Sequence, residues 1–206
     1  MKSSLRLPDA ILLEGIVTTE NPDGSYNISP MGPVVDWPIT RLRLRPYKTS
    51  TTYANLARTG CGVFNLTDDV ELIARAAIGK LESLLSLASV RSGGKYLADG
   101  CAWYAFAVDS LGDTSERADI ECQVVEAGRL RDFCGFNRAK NAVIEAAILA
   151  TRVGILPDQQ ILADLHRLAS LVEKTGSQAE HRAFRLLTDY VERTIADSSR
   201  PAGADA

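Results

Sequence analysis

The sequence predicts an α+β fold: a mainly β N-terminal part forming a six-stranded antiparallel barrel, then a C-terminal helical part. Three observations predict it. Apolar residues recur with period two over about the first 130 residues and with period 3.6 from near Asn137 onward. The strand candidates are short and few long helices separate them, which favours an antiparallel barrel over βαβ units. The composition, 46% hydrophobic and 24% charged over 206 residues, supports a packed core and excludes a disordered chain, a collagen-like chain and a disulfide miniprotein. The change of period places a barrel domain over 1–130, a helical domain over 131–197 and a small polar tail, expected to fray, over 198–206.

From the N-terminus, Ile11 to Glu20 is apolar and β-branched and runs into Asn21-Pro22-Asp23-Gly24. Pro presets φ there and Gly accepts φ > 0, so the chain turns and Tyr26 to Pro30 returns as the second strand of a hairpin. Thr40 to Pro46 alternates Leu42 and Leu44 against Arg41, Arg43 and Arg45, the pattern of a half-buried strand. Tyr53 to Thr59 reads as a short helix ending at Gly60, and Cys61 to Leu66 as a short apolar strand. Asp68-Asp69-Val70-Glu71 has the spacing of a capping box and opens a helix through Leu72, Ile73, Ala76 and Ala77, with Gly79 as its weak point. Trp103 to Asp109 and Ala118 to Glu126 complete the six strands.

Beyond Asn137, Ala139, Val143, Ala146, Ala150 and Val153 recur at helical spacing, with Gly154 as the stop. A second helix carries Ile161, Leu165, Leu168 and Val172 on one face and closes at Lys174 and Gly176. A third starts at Ser177, has Glu180 at the capping-box position, and continues through Phe184, Leu187, Val191 and Ile195.

Charge and targeting exclude several classes. Lys plus Arg number 23 and Asp plus Glu 26, so the net charge is −3 and no basic excess draws the chain to nucleic acid or anionic lipid. The start of the chain lacks the apolar run of a signal peptide, and no stretch has the ~18 apolar residues of a membrane helix. Cys61, Cys101, Cys122 and Cys134 form no C-x-x-C pair and read as buried free thiols of a reducing, cytoplasmic compartment. The sequons at Asn27 and Asn65 carry little meaning in such a chain. His166 and His181, the two histidines, are not at ligand spacing, so no metal site is expected.

The densest polar cluster is Arg45-Pro46-Tyr47-Lys48-Thr49-Ser50-Thr51-Thr52, between a strand end and a short helix. Helix N-termini present unpaired N–H groups and partial positive charge, so hydroxyls and cations at that point suit a phosphate. The same residues also suit a simple helix cap with solvated cations. Thr18 and Thr19 end the first strand of the first hairpin and Asn27, Ser29 and Pro30 its second, and polar groups at such paired ends can meet a planar heterocycle or simply end a strand. Gly60-Cys61-Gly62 fails as a dinucleotide fingerprint because it lacks a third glycine and precedes a strand, and Ser92-Gly93-Gly94-Lys95 fails as a P-loop. Asn137, Arg138 and Lys140 put cations at a helix start, against the macrodipole, which asks for an anion nearby.

Ile16-Val17-Thr18-Thr19, Asp23-Gly24-Ser25-Tyr26-Asn27-Ile28-Ser29-Pro30-Met31-Gly32, Arg45-Pro46-Tyr47, Ser50-Thr51-Thr52-Tyr53-Ala54-Asn55-Leu56 and Gly62-Val63-Phe64-Asn65-Leu66-Thr67-Asp68-Asp69 together resemble an uncharacterised FMN-binding split-barrel family. Gly135-Phe136-Asn137-Arg138-Ala139-Lys140-Asn141-Ala142-Val143-Ile144-Glu145 resembles the opening of its C-terminal helical domain, so the resemblance spans nearly the whole chain. The first half is more distantly similar to flavin reductases. The resemblance implies a split barrel of the FMN-binding type, a homodimer holding FMN near the subunit interface, and a link to methanopterin-type one-carbon metabolism. Carried onto this sequence, it implies that Arg45, Ser50, Thr51 and Thr52 hold the phosphate, that Thr18, Asn27 and Ser29 approach the ring or ribityl chain, and that Asn65 and Thr67 meet the ring edge, with Asn137 and Lys140 as lesser candidates. The expected activity is a flavin-reductase-like oxidoreductase with small-molecule donor and acceptor; a flavin carrier without turnover and a flavin-free interaction protein are the alternatives.

Overall fold

The structure, a computed structural model, describes residues 10–81, 85–112 and 116–198. They fall into two compact units, drawn from Met1–Asp68 with Ser83–Phe133 and from Asp69–Glu82 with Cys134–Ala206.

The first unit is built on an antiparallel sheet of eight strands, where six were expected. The strands are β1 (Ile11–Leu12), β2 (Gly15–Glu20), β3 (Tyr26–Met31), β4 (Val34–Val35), β5 (Arg41–Leu44), β6 (Cys61–Leu66), β9 (Ala102–Gly112) and β10 (Asp119–Arg129), with β7 (Leu87–Ser89) and β8 (Lys95–Leu97) forming a separate hairpin. The order across the large sheet is β1-β4-β5-β10-β9-β6-β2-β3. Val35 and Leu42, near one end of that order, share one buried cluster with Val17 and Phe64, near the other. One face therefore encloses a single core, and the sheet curls about it.

The two additional strands have a simple origin. The expected strand from Ile11 to Glu20 changes partner midway: β1 pairs with β4, whereas β2 pairs with β3 and β6. Gly15 sits at the change, where a Cβ would lie 2.5 Å from the Asn65 carbonyl oxygen. Two-residue strands such as β1 and β4 are too short to show any period in sequence. Helix α1 (Thr51–Thr59) lies between β5 and β6 and contacts β2, β3 and β6. It stops at Gly60, which takes φ 67° and donates its N–H to the Leu56 carbonyl at 2.9 Å, an αL cap. Gly62 allows the close approach of α1, since a Cβ there would meet Phe106 at 2.8 Å and Leu56 at 3.2 Å. The two glycines that brush against a dinucleotide fingerprint thus serve a helix end and a packing contact. Gly93 and Gly94, both at positive φ, make the β7–β8 turn.

The second unit comprises α2 (Val70–Ala77), α3 (Arg138–Ala150), α4 (Asp158–Thr175) and α5 (Gln178–Ser198). Position in the chain assigned α2 to the first 130 residues, yet it packs with α3 and α5, because its apolar stripe Val70, Ile73 and Ala74 is buried there. Asp69, not Asp68, is its N-cap, accepting from the Leu72 N–H at 3.0 Å. Glu71 takes no part in a capping box and bridges Arg75 and Arg182. The expected capping box of α5 does form: Ser177 N–H donates to Glu180 at 2.8 Å and Ala179 N–H to the Ser177 hydroxyl at 3.2 Å. Helix α5 continues through Asp197 and Ser198, so the expected tail begins inside a helix, and 199–206 lie outside the described residues. Among the described residues no helix is long and apolar enough to cross a membrane.

Candidate functional site

Helix α1 opens inside the polar cluster. Ser50 is its N-cap: the Ser50 hydroxyl accepts from the Tyr53 N–H at 3.2 Å and donates to the Tyr47 carbonyl at 2.7 Å. Ser50 thus serves as the cap of α1. The helix begins at Thr51, two residues earlier than the sequence suggested. Among the described residues no hydrogen bond reaches the N–H groups of Thr51 and Thr52, and the first turn holds no acidic side chain. Two unpaired donors at the positive end of a helix dipole remain.

The residues leading into that turn are pinned from the side. Lys48 N–H donates to the Glu116 carbonyl at 3.2 Å, Ala118 N–H to the Pro46 carbonyl at 3.0 Å, and the Arg117 guanidinium sits 4.0 Å from the Tyr47 ring centroid. Arg45 is exposed, and its guanidinium makes no hydrogen bond or ion pair among the described residues. Three cationic side chains, of Arg45, Lys48 and Arg117, thus belong to the segments beside the helix start.

The strand alternation splits the expected site residues in two. Asn27 pairs across β2–β3 with Thr19, and Ser29 with Val17. Side chains at directly paired positions share a face, here the core-enclosing face against which α1 packs. Asn27 donates to the hydroxyls of Thr52 at 3.0 Å and Thr19 at 3.3 Å. Ser29 is half-buried and makes only a long 3.4 Å bond to the Pro30 carbonyl. Asn27, Ser29, Thr51 and Thr52 therefore belong to one neighbourhood around α1, with Arg45 at the end of the strand that leads toward it in sequence.

Thr18 and Asn65 stand on the opposite face of the sheet, apart from that group. Thr18 pairs with Val63, Asn65 with Ile16, and all four are buried. The Thr18 hydroxyl donates to the Lys95 carbonyl of β8. The Asn65 amide donates to the Ile16 carbonyl at 3.2 Å and the Val63 carbonyl at 3.2 Å, and its carbonyl accepts from the Leu97 N–H at 2.8 Å. These two side chains tie the β7–β8 hairpin to β2 and β6. Thr67, just past the end of β6, is buried as well, at 5% exposure. The cations at the start of α3 also have their anion within the fold: Lys140 pairs with Glu180 at 3.0 Å, while Asn137 caps α3 and donates to the Thr175 carbonyl at 3.1 Å.

Two further polar residues join this neighbourhood, Thr19 from the paired strand ends and Asn55, to which the sequence assigned no role. Thr19 is 1% exposed and accepts from both Asn27 and Asn55; Asn55, 2% exposed, also donates to Asn21 at 2.8 Å. The hairpin closing over Asn21 to Ser25 places Thr19 opposite Asn27.

The donor set of this corner, two helix N–H groups, the Thr51 hydroxyl and the Arg45 guanidinium, suits a dianionic phosphate monoester. Asn27 and Ser29 supply amide and hydroxyl groups beside it.

No curated protein matches the chain. Among solved structures, it is similar to an FMN-bound protein of the DUF447 family from Methanosarcina mazei, at 26% identity and a TM-score of 0.76, covering 87% of this chain and 94% of that one. A flavin reductase domain protein from Arthrobacter sp. FB24 is similar in fold, with a TM-score of 0.50 at 18% identity over 60% of this chain and 79% of that one. Two family models, "Protein of unknown function (DUF447) N-terminal domain" and "Protein of unknown function (DUF447)", match residues 13–131 and 137–189. Along both of its parts, then, the chain belongs to the DUF447 family.

Proposed function

We propose that this chain binds FMN, with the phosphate at the first turn of α1, and works as a flavin-dependent oxidoreductase on small-molecule donor and acceptor. The observation that carries the proposal is the pair of unpaired N–H groups of Thr51 and Thr52 in a turn without acidic residues, with the unpartnered Arg45 beside it. The FMN named for the family relative from Methanosarcina mazei supports the choice of ligand.

In this reading Arg45 and the Thr51 and Thr52 N–H groups bind the phosphate, and the Thr51 hydroxyl adds a fourth donor. Ser50 holds the turn open for them by capping the Tyr53 N–H. Asn27 and Ser29, on the same face, orient the ring or ribityl chain. Bound flavin supplies hydride or single-electron transfer, which protein side chains alone do not. Donors near the pyrimidine edge favour the anionic reduced ring and so raise its potential. We further propose that the working form is a homodimer with FMN near the subunit interface.

The test is an absorption spectrum of the purified protein after FMN loading and gel filtration, followed by anaerobic titration with NADH, NADPH and a reduced deazaflavin. A retained flavin spectrum that bleaches with one donor supports the reading. A colourless protein removes it, and a yellow protein that no donor reduces points to a carrier.

A further inference from the structure

Helix α1 is attached to the β2–β3 hairpin by more than apolar packing. Leu56 enters the core, but five buried or half-buried polar side chains also join the helix to the hairpin. On the helix, Thr52 and Asn55 are one turn apart, so both face the hairpin. Both connect to a single hydroxyl. Asn55 donates to the Thr19 oxygen at 3.1 Å, and Asn27 donates both to that oxygen at 3.3 Å and to the Thr52 oxygen at 3.0 Å. A second branch ties Asn55 to the Asn21 carbonyl oxygen at 2.8 Å.

Burying amides and hydroxyls costs free energy unless each is hydrogen-bonded, and apolar residues of the same shape hold a helix to a sheet about as well. A polar tie does what an apolar contact does not: it has direction. Attachments at the first and second turns, meeting at Thr19, leave α1 neither to rotate about its axis nor to slide along the hairpin. The turn so fixed is the one whose Thr51 and Thr52 N–H groups lack partners.

We infer that Asn55, acting through Thr19 and Asn27, is a positioning residue that sets the first turn of α1 for phosphate, so that preference for a phosphorylated flavin depends on a buried amide away from the ligand. The inference rests on the phosphate reading proposed above.

The experiment compares dissociation constants for FMN and riboflavin, which differ only in the phosphate, by flavin fluorescence titration in wild type, Thr19→Val, Thr19→Ser and Asn55→Ser. Thr19→Val keeps shape and strand preference but removes the shared hydroxyl. The expected result is a roughly three- to tenfold loss of FMN affinity in Thr19→Val and Asn55→Ser, the worth of about one hydrogen bond, with riboflavin affinity within about twofold of wild type and recovery in Thr19→Ser. Thermal unfolding of each variant shows which are folded, and Asn55→Ser carries the test if Thr19→Val does not fold. Equal losses for both flavins, or an unchanged FMN-to-riboflavin ratio, would overturn the positioning role. A wild type that binds both flavins equally would instead overturn the phosphate reading beneath it.

Discussion

Thr18 and Thr19 are neighbours in β2 and serve opposite faces of the sheet: the Thr18 hydroxyl donates to the Lys95 carbonyl, whereas the Thr19 hydroxyl receives the amides of Asn27 and Asn55. Adjacent side chains on a strand point to opposite faces. Only Thr19 is connected to α1.

Replacing Thr18 should therefore affect stability and not the ligand. Thr18→Val removes one buried hydrogen bond and leaves the Lys95 carbonyl short of a donor. The expected cost is about 1 kcal/mol of folding stability in a urea titration, with FMN affinity unchanged. A loss of FMN affinity at full stability would return Thr18 to the site.

The helical unit carries a pH-dependent tie. Burial alone would raise the Glu180 carboxyl, but the hydrogen bonds from Ser177 and Lys140 outweigh it and hold its pKa down to about 2, against an ordinary 4.5. A folded-state pKa below the ordinary value stabilises the fold fully above pH 4.5, and that contribution fades as pH falls toward about 2. Glu180→Gln should lower the melting temperature at neutral pH, with an upper limit of about 3 kcal/mol. The gap from wild type should close in the acid range. A gap independent of pH would show that the charge on Glu180 is not what holds Lys140 and Ser177.

The four thiols should separate by reactivity. None is in a disulfide; Cys101 and Cys122 are buried, Cys61 is half-buried and Cys134 is exposed, so the expectation of four buried thiols holds for two of them. Burial pushes the Cys122 thiol up to about 12 and also raises Cys101. Alkylation of the native protein at about pH 8, read by peptide mass spectrometry, should label Cys134 first and leave Cys101 and Cys122 unlabelled until denaturant is added. Early labelling of Cys122 would contradict the packing of β10.

Much of this architecture is legible in the residues. Leu42 and Leu44 against Arg41 and Arg43 define β5, and Ser177 with Glu180 defines the start of α5, because each pattern is local. What escaped depends on partners far along the chain. β1 and β4 are strands only because they pair with each other, and β4 in turn with β5. Helix α2 has an apolar stripe whose destination, α3 and α5, its sequence does not state. The candidate residues divide by face. Thr51, Thr52, Asn27 and Ser29 come together around α1, whereas Thr18 and Asn65 lie on the other face, since one residue of register reverses every side chain on a strand.

A phosphate held at the first turn of α1 with help from Arg45, as proposed, is decided by the FMN and riboflavin dissociation constants of wild type and Arg45→Ala. Wild type should prefer FMN. Arg45→Ala should lose about 1.5–3 kcal/mol of FMN affinity, roughly ten- to 150-fold, while its riboflavin affinity stays put. Equal affinity of wild type for the two flavins, or an Arg45→Ala variant that binds FMN as wild type does, would contradict it.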